Sequence, residues 1–149
     1  PKFTVDSNVG KLAKWLRILG FDTVYFNSDN RASLVITALR EDRIIVTRNL
    51  RLPAPPGARL INLKADLLND QLKQLLAKLN VKLDKSRLFS RCILCNTELI
   101  SVAKEEVKDK VPEYVFKTQE DFCRCPTCNK IYWSGTHWGN VLATLQGIG

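Results

Sequence analysis

Two Cys-x-x-Cys pairs, Cys92-Ile-Leu-Cys95 and Cys125-Pro-Thr-Cys128, stand 29 residues apart and constrain this chain more than any other feature. This is the spacing of a four-cysteine zinc ribbon, in which each pair supplies two thiolates from a tight turn. Zn²⁺ suits the set because it takes four sulfurs tetrahedrally, and because a segment of about 50 residues buries too little apolar surface to fold securely alone. Four protein ligands close the coordination shell, so the metal is expected to be structural. The total of five cysteines is odd, which argues against a closed disulfide framework. Cys123 reads as a packed or partly exposed thiol, although its Cys-x-Cys spacing to Cys125 leaves it as a substitute ligand. His137, the only histidine, reads as orienting a helix start because the cysteines already fill the site.

Charge divides the chain at the same place. Residues 1–88 carry 16 Lys and Arg against 8 Asp and Glu, whereas residues 89–149 carry 7 against 7, so the net +8 lies wholly in the first segment. A basic domain of this kind points to a polyanion, most often nucleic acid, because neutralising phosphates releases counterions. The reading is two domains: 1–88 a basic nucleic-acid-facing unit, and 89–149 a zinc ribbon ending in a C-terminal helix. No apolar run approaches the roughly 20 residues that cross a bilayer, and the opening PKFTVDSNVG has no signal architecture, so a cytoplasmic protein with no membrane partner is expected. The lack of any Met, with strand-like sequence already at Phe3, suggests a chain cut from a longer polypeptide.

Strand and helix patterns alternate through the first segment. Phe3-Thr4-Val5 reads as a strand that delivers Asp6, with Ser7 or Asn8 capping a helix from Val9 to Leu19 that Gly20 stops. Leu12, Ala13, Leu16 and Leu19 form its apolar face, and Lys11, Lys14 and Arg17 a cationic stripe beside it. A strand over Thr23–Phe26 leads through an Asn/Asp cluster containing Asp29 into a helix over Arg31–Glu41. Arg43–Thr47 is a continuous apolar strand of the kind buried on both faces of a parallel sheet, and it exits at Arg48-Asn49. After the Pro53–Gly57 loop come a strand over Arg59–Leu63 and a helix over Asp66–Leu79. The pattern predicts an α/β fold with a small, mainly parallel sheet flanked by helices, and a ligand site beyond the strands' carboxyl ends.

Those ends carry Asp6, Asp29 and Asn49. Neither a Gly-x-Gly-x-x-Gly nor a Gly-x-x-x-x-Gly-Lys-Ser/Thr sequence occurs in the turns, so a nucleotide-binding loop has no support. Carboxylates at the mouth of a small sheet can hold Mg²⁺ or Mn²⁺, which polarises a phosphodiester and activates water. Lys11, Lys14, Arg17, Arg48 and Arg51 would grip the phosphates. Helix capping accounts equally for Asp6 and Asp29, since both precede helices. Tyr132, Trp133 and Trp138 could stack on unpaired bases, but aromatics bracketing a small metal module read first as its core.

Longer stretches carry a resemblance. Val5-Asp6 followed by Gly10-Lys11-Leu12-Ala13-Lys14-Trp15-Leu16-Arg17-Ile18-Leu19-Gly20, then Arg43-Ile44-Ile45-Val46-Thr47-Arg48, then Ser90-Arg91-Cys92-Ile93-Leu94-Cys95-Asn96 occur in the order found in the Mut7-C RNase domain family. Lys104-Glu105-Glu106-Val107, Val111-Pro112, Arg124-Cys125-Pro126-Thr127-Cys128 and Ile131-Tyr132-Trp133-Ser134-Gly135-Thr136-His137-Trp138 continue it. The chain resembles that family over nearly its whole length. The resemblance implies a PIN-like fold joined to a C-terminal zinc ribbon, and metal-dependent cleavage of RNA by a small acidic cluster. It identifies Asp6 with the family's first acid and Thr47-Arg48-Asn49 with its Thr-Arg-Asp corner, so an amide stands where that acid is expected. Before the second helix the family's run of acids is reduced to Asp29.

Two functions follow as expectations. One is a Mg²⁺- or Mn²⁺-dependent ribonuclease using Asp6, Asp29 and Asn49. The other is an RNA-binding module whose nuclease site is weakened or inactive because Asn49 replaces the acid. The RNA would be single-stranded or structured. A third expectation is a ribbon that docks a protein partner or contacts DNA, as zinc ribbons often serve assembly, and its zero net charge before zinc argues against a dominant phosphate-binding role.

Overall fold

In a computed structural model, residues 1–133 and position 143 are described. The expected C-terminal helix, with His137 and Trp138, falls outside the described residues. Four strands, β1 (Lys2–Asp6), β2 (Asp22–Phe26), β3 (Ile44–Thr47) and β4 (Leu60–Asn62), form one sheet in the order β2-β1-β3-β4, and every pair is parallel. The helices α1 (Gly10–Ile18), α2 (Arg31–Arg40) and α3 (Leu68–Leu79) flank it. The α/β architecture with a parallel sheet and a C-terminal cysteine group is thus the one the sequence led us to expect, with element ends shifted by a residue or two.

Alternation along the strands explains the layers. Phe3, Val5, Ile44 and Val46 pack with Leu12, Leu16, Leu72 and Leu75, which puts α1 and α3 on one face. Ile45, out of phase with its neighbours, packs with Leu34, Val35 and Ala38 of α2 and with Leu52 on the other. All four residues of β3 are buried, as its apolar run requires of a strand covered on both faces. Asp6 is in phase with Thr4 and faces α2, a consequence of strand periodicity that matters for the site.

The end of α1 is closed as expected by Gly20, which adopts φ +92°. Its N–H reaches the Arg17 carbonyl and the Phe21 N–H reaches that of Leu16, satisfying two carbonyls at the helix end. Of the caps the sequence offers at the first corner, Asp6 rather than Ser7 or Asn8 caps a 3₁₀ turn over Ser7–Val9 that precedes α1, and within the Asn/Asp cluster it is Asn30, not Asp29, that caps α2 by accepting from the Ser33 N–H at 3.1 Å.

Beyond α3 the chain returns along the first core, with Leu88 buried in it and the Phe89 N–H donating to the Ile18 carbonyl. The second sheet is antiparallel, β5 (Ile100–Val102), β6 (Phe122–Arg124) and β7 (Ile131–Tyr132), with a short helix α4 (Glu113–Thr118) between its first two strands. Among the described residues its core holds the buried side chains of Val107, Val115 and Phe122, with Trp133 tilted against Phe122 at 6.4 Å.

Candidate functional site

The two cysteine pairs form matching turns. In each, the N–H of the residue after the second cysteine bonds back to the carbonyl of the first, Asn96 to Cys92 and Asn129 to Cys125. Both asparagines have positive φ, 66° and 65°, a conformation Asn tolerates well. The turns bring the sulfurs of Cys92, Cys95, Cys125 and Cys128 within 4.8 Å of one another. The Cys92 and Cys128 sulfurs are 3.8 Å apart, which matches the edge of a tetrahedron with Zn–S bonds of about 2.3 Å. This donor set fits a structural zinc. Cys123 lies outside it, in β6 opposite Ser101 and Tyr132.

Thiol chemistry in the group is uneven. Burial opposes ionisation of Cys125, but backbone N–H groups of Cys128 and Thr127 bring it down to about 6. Cys95 is pushed up to about 12, first by its contact with the Cys128 thiol. A dication is what allows four such sulfurs to lose their protons together. Tyr132 was not foreseen in this role. Its oxygen accepts from the Ile93 N–H at 3.2 Å and stands 3.0 Å from the Cys92 sulfur, so that once Cys92 is a metal-bound thiolate the phenol O–H is the donor to it. Partners around metal ligands commonly contribute 10- to 100-fold in affinity, and Tyr132→Phe is expected to weaken zinc binding by roughly tenfold in a chelator competition. Unchanged affinity would remove Tyr132 from this role.

At the other pole, Asp6 ends β1 beside Thr47 of β3. Sheet order runs outward in opposite directions from these two strands, so they border the crevice where open α/β sheets bind ligands. The Asp6 side chain has no accessible surface. Its Oδ1 accepts the Ser7 N–H at 2.7 Å and an N–H of Arg31, and its Oδ2 accepts the Thr47 hydroxyl at 2.7 Å. Burial raises the carboxyl's affinity for a proton, but Arg31, Thr47 and Ser7 more than offset it and hold Asp6 below the usual carboxylate range. Thr47 also accepts from the Asn49 N–H at 3.0 Å, and its oxygen lies 3.5 Å from the Asn8 amide.

The other expected site residues are placed differently from one another. Asn49 turns its Oδ1 to the Arg51 N–H at 3.0 Å. Asp29 is exposed and makes no bond to Asp6. Lys11, Lys14 and Arg51 are exposed, and Arg48 pairs with Asp66. Arg17 departs from its expected phosphate-gripping role. Its Nε donates to the Thr23 carbonyl at 2.9 Å and its Nη1 to the Ile93 carbonyl at 2.8 Å, inside the first cysteine turn. Asn96 reinforces this junction by accepting the Thr23 N–H at 2.9 Å and donating to Asp22 at 2.7 Å. A one-dimensional helix stripe could not reveal that one of its members meets a turn 76 residues away.

Mg²⁺ and Mn²⁺ ask for several oxygens free to face one point, usually with one or two carboxylates among them. Asp6 offers its carboxylate already bonded on both oxygens and neutralised by Arg31, Asn49 has its oxygen engaged elsewhere, and Asp29 stands apart. Among the described residues, the four cysteines are the one group of three or more Cys, His, Asp or Glu ligands that converges. The carboxyl-end crevice as it stands does not fit a dication.

Comparison with known proteins agrees with the stretches quoted above. No curated protein and no solved structure matches the chain. The family model of the Mut7-C RNAse domain matches residues 1–145, nearly end to end. The chain belongs to the Mut7-C RNase domain family.

Proposed function

We propose that the chain is a ribonuclease-type domain that takes RNA across the carboxyl ends of β1 and β3, with zinc on Cys92, Cys95, Cys125 and Cys128 holding the second sheet. The observation that carries the reading is the position of Asp6 and Thr47 at the crevice of a basic, RNase-family α/β unit. Lys11, Lys14, Arg48 and Arg51 supply cations around it, and the RNA is single-stranded or locally unpaired. Within that role binding outweighs hydrolysis, because the carboxylate set is reduced to a neutralised Asp6, an exposed Asp29 and the amide of Asn49. A reducing cytoplasm suits a protein whose four thiols serve a metal.

The second reading is hydrolysis with Mg²⁺ or Mn²⁺ at Asp6, Asp29 and Asn49, and it is supported by the placement of a buried carboxylate at the crevice. Labelled single-stranded and hairpin RNA, incubated with the zinc-loaded chain with and without Mn²⁺ or Mg²⁺, separates the two. Binding with no cleavage above that of Asp6→Ala is the expected result. Metal-dependent cleavage lost in Asp6→Ala would establish the hydrolytic reading instead.

A further inference from the structure

We propose that this crevice is an anion site in which Arg31, anchored by buried Asp6, receives a phosphodiester group of RNA at the place where a dication is expected. The inference rests on the RNA reading above and gives that site a ligand and a residue.

Arg31 is the first residue of α2, where the helix presents its positive end and a cation is disfavoured. The ion pair with Asp6 accounts for its placement. Asp6 takes one N–H of the guanidinium, and no other side-chain or backbone partner of Arg31 is found among the described residues. The side chain is 35% exposed while the carboxylate behind it is fully enclosed. The remaining donors of the planar guanidinium are therefore without a partner among the described residues on a side chain partly open to solvent, which leaves them able to recognise phosphate.

The surroundings have the same sign. Neither α1 nor α2 has an acidic residue in its first turn, and both begin just beyond the carboxyl ends of β1 and β2. Lys11 in the first turn of α1 and Arg51 beyond β3 are exposed and form no ion pair among the described residues. Against these cations stand buried Asp6, whose charge Arg31 cancels, and the single exposed carboxylate of Asp29, two residues before Arg31. A dication would have to displace Arg31 and enter a field already positive, whereas a phosphate adds the missing negative charge.

The test uses the zinc-loaded full chain, a labelled single-stranded RNA of about 12 nucleotides, and buffer free of Mg²⁺ and Mn²⁺. Arg31→Gln is expected to bind about tenfold more weakly, and the slope of log affinity against log salt should fall by about 0.7, the value for one phosphate contact on a single strand. If wild type binds and Arg31→Gln keeps its slope, the Arg31 site is overturned while the RNA reading stands. If wild type does not bind, both fail. A second measurement needs no variant to fold: on adding RNA to the wild-type chain, amide resonances of residues 7–11 and 30–33 should shift, and shifts confined elsewhere would overturn the site. Mn²⁺ titration followed by water-proton relaxation should show no saturable site that Asp6→Asn removes; such a site would restore the dication and end the proposal. Inorganic phosphate, added as competitor, should displace RNA only at far higher concentration, and equal potency would identify a free-phosphate site instead.

Discussion

Cys125→Ser is expected to abolish zinc binding and to unfold the second sheet, a larger effect than any other single change in the chain. Among the described residues that sheet's core has Val107, Val115 and Phe122 buried, too few by themselves to offset the ordering of some 40 residues at about 1 kcal/mol or more each. A structural zinc supplies an apparent binding free energy of roughly 10–16 kcal/mol, comparable with the whole stability of a small domain. Removing one of four thiolates opens the shell and forfeits most of it. Metal analysis should find about one zinc per chain in the wild type and little in Cys92→Ser or Cys125→Ser.

The loss should also reach the first sheet. Asn96 follows the ligand Cys95 directly and holds the Thr23 N–H, while Arg17 holds two carbonyls of the same turn. Hydrogen exchange at the Thr23 amide is therefore expected to accelerate when zinc is removed, along with the amides of β5–β7. Full zinc retention in both serine variants would sink the ligand assignment. Zinc loss with an unchanged Thr23 amide would keep the ligands and remove the junction.

The parts of this architecture that depend on local periodicity were legible beforehand. β3 announced itself by an unbroken Ile-Ile-Val run, α1 by its Leu spacing and Gly20 stop, and the metal group by four cysteines whose turns are short enough to be fixed by spacing alone. What escaped depends on distances across the fold. Arg31 looked like an ordinary helix residue until the parity of β1 turned Asp6 toward α2. Arg17 looked like its neighbours Lys11 and Lys14 until the chain returned past Phe89 and set a cysteine turn against it. Tyr132 was read with the aromatics as core, because nothing in a pattern of apolar residues shows that a phenol lies 3.0 Å from a sulfur. For Asn49 the resemblance offered only an expectation, an amide in place of an acid, and nothing in the sequence showed that its amide oxygen closes a local turn.

Asp6→Asn is expected to destabilise the first sheet by roughly 2–4 kcal/mol at pH 7, because it removes a charge from a buried pair and leaves Arg31 without its partner. The lower part of that range applies if Arg31, one-third exposed, recovers water. The effect depends on pH in a direction fixed by the carboxyl group. Folding holds Asp6 below its ordinary value, as Arg43 and Asn96 do for Asp22 against the opposing effect of burial. The stabilisation is thus complete above the unfolded value of about 3.9 and is lost as pH falls through the lower folded value. Between pH 5 and 8 these two groups add no slope. Urea unfolding at pH 7 and at pH 2.5 should therefore show a large gap between wild type and Asp6→Asn at the first pH, and a smaller one at the second, where the carboxyl is protonated in the unfolded chain and part of the stabilisation from its charge is lost. An equal gap at both would mean that the charge on Asp6 contributes nothing and that Thr47 and the Ser7 N–H hold the corner by hydrogen bonding alone. Arg31 would then be free to leave Asp6 at no cost, and the anchored phosphate fork would lose its physical basis.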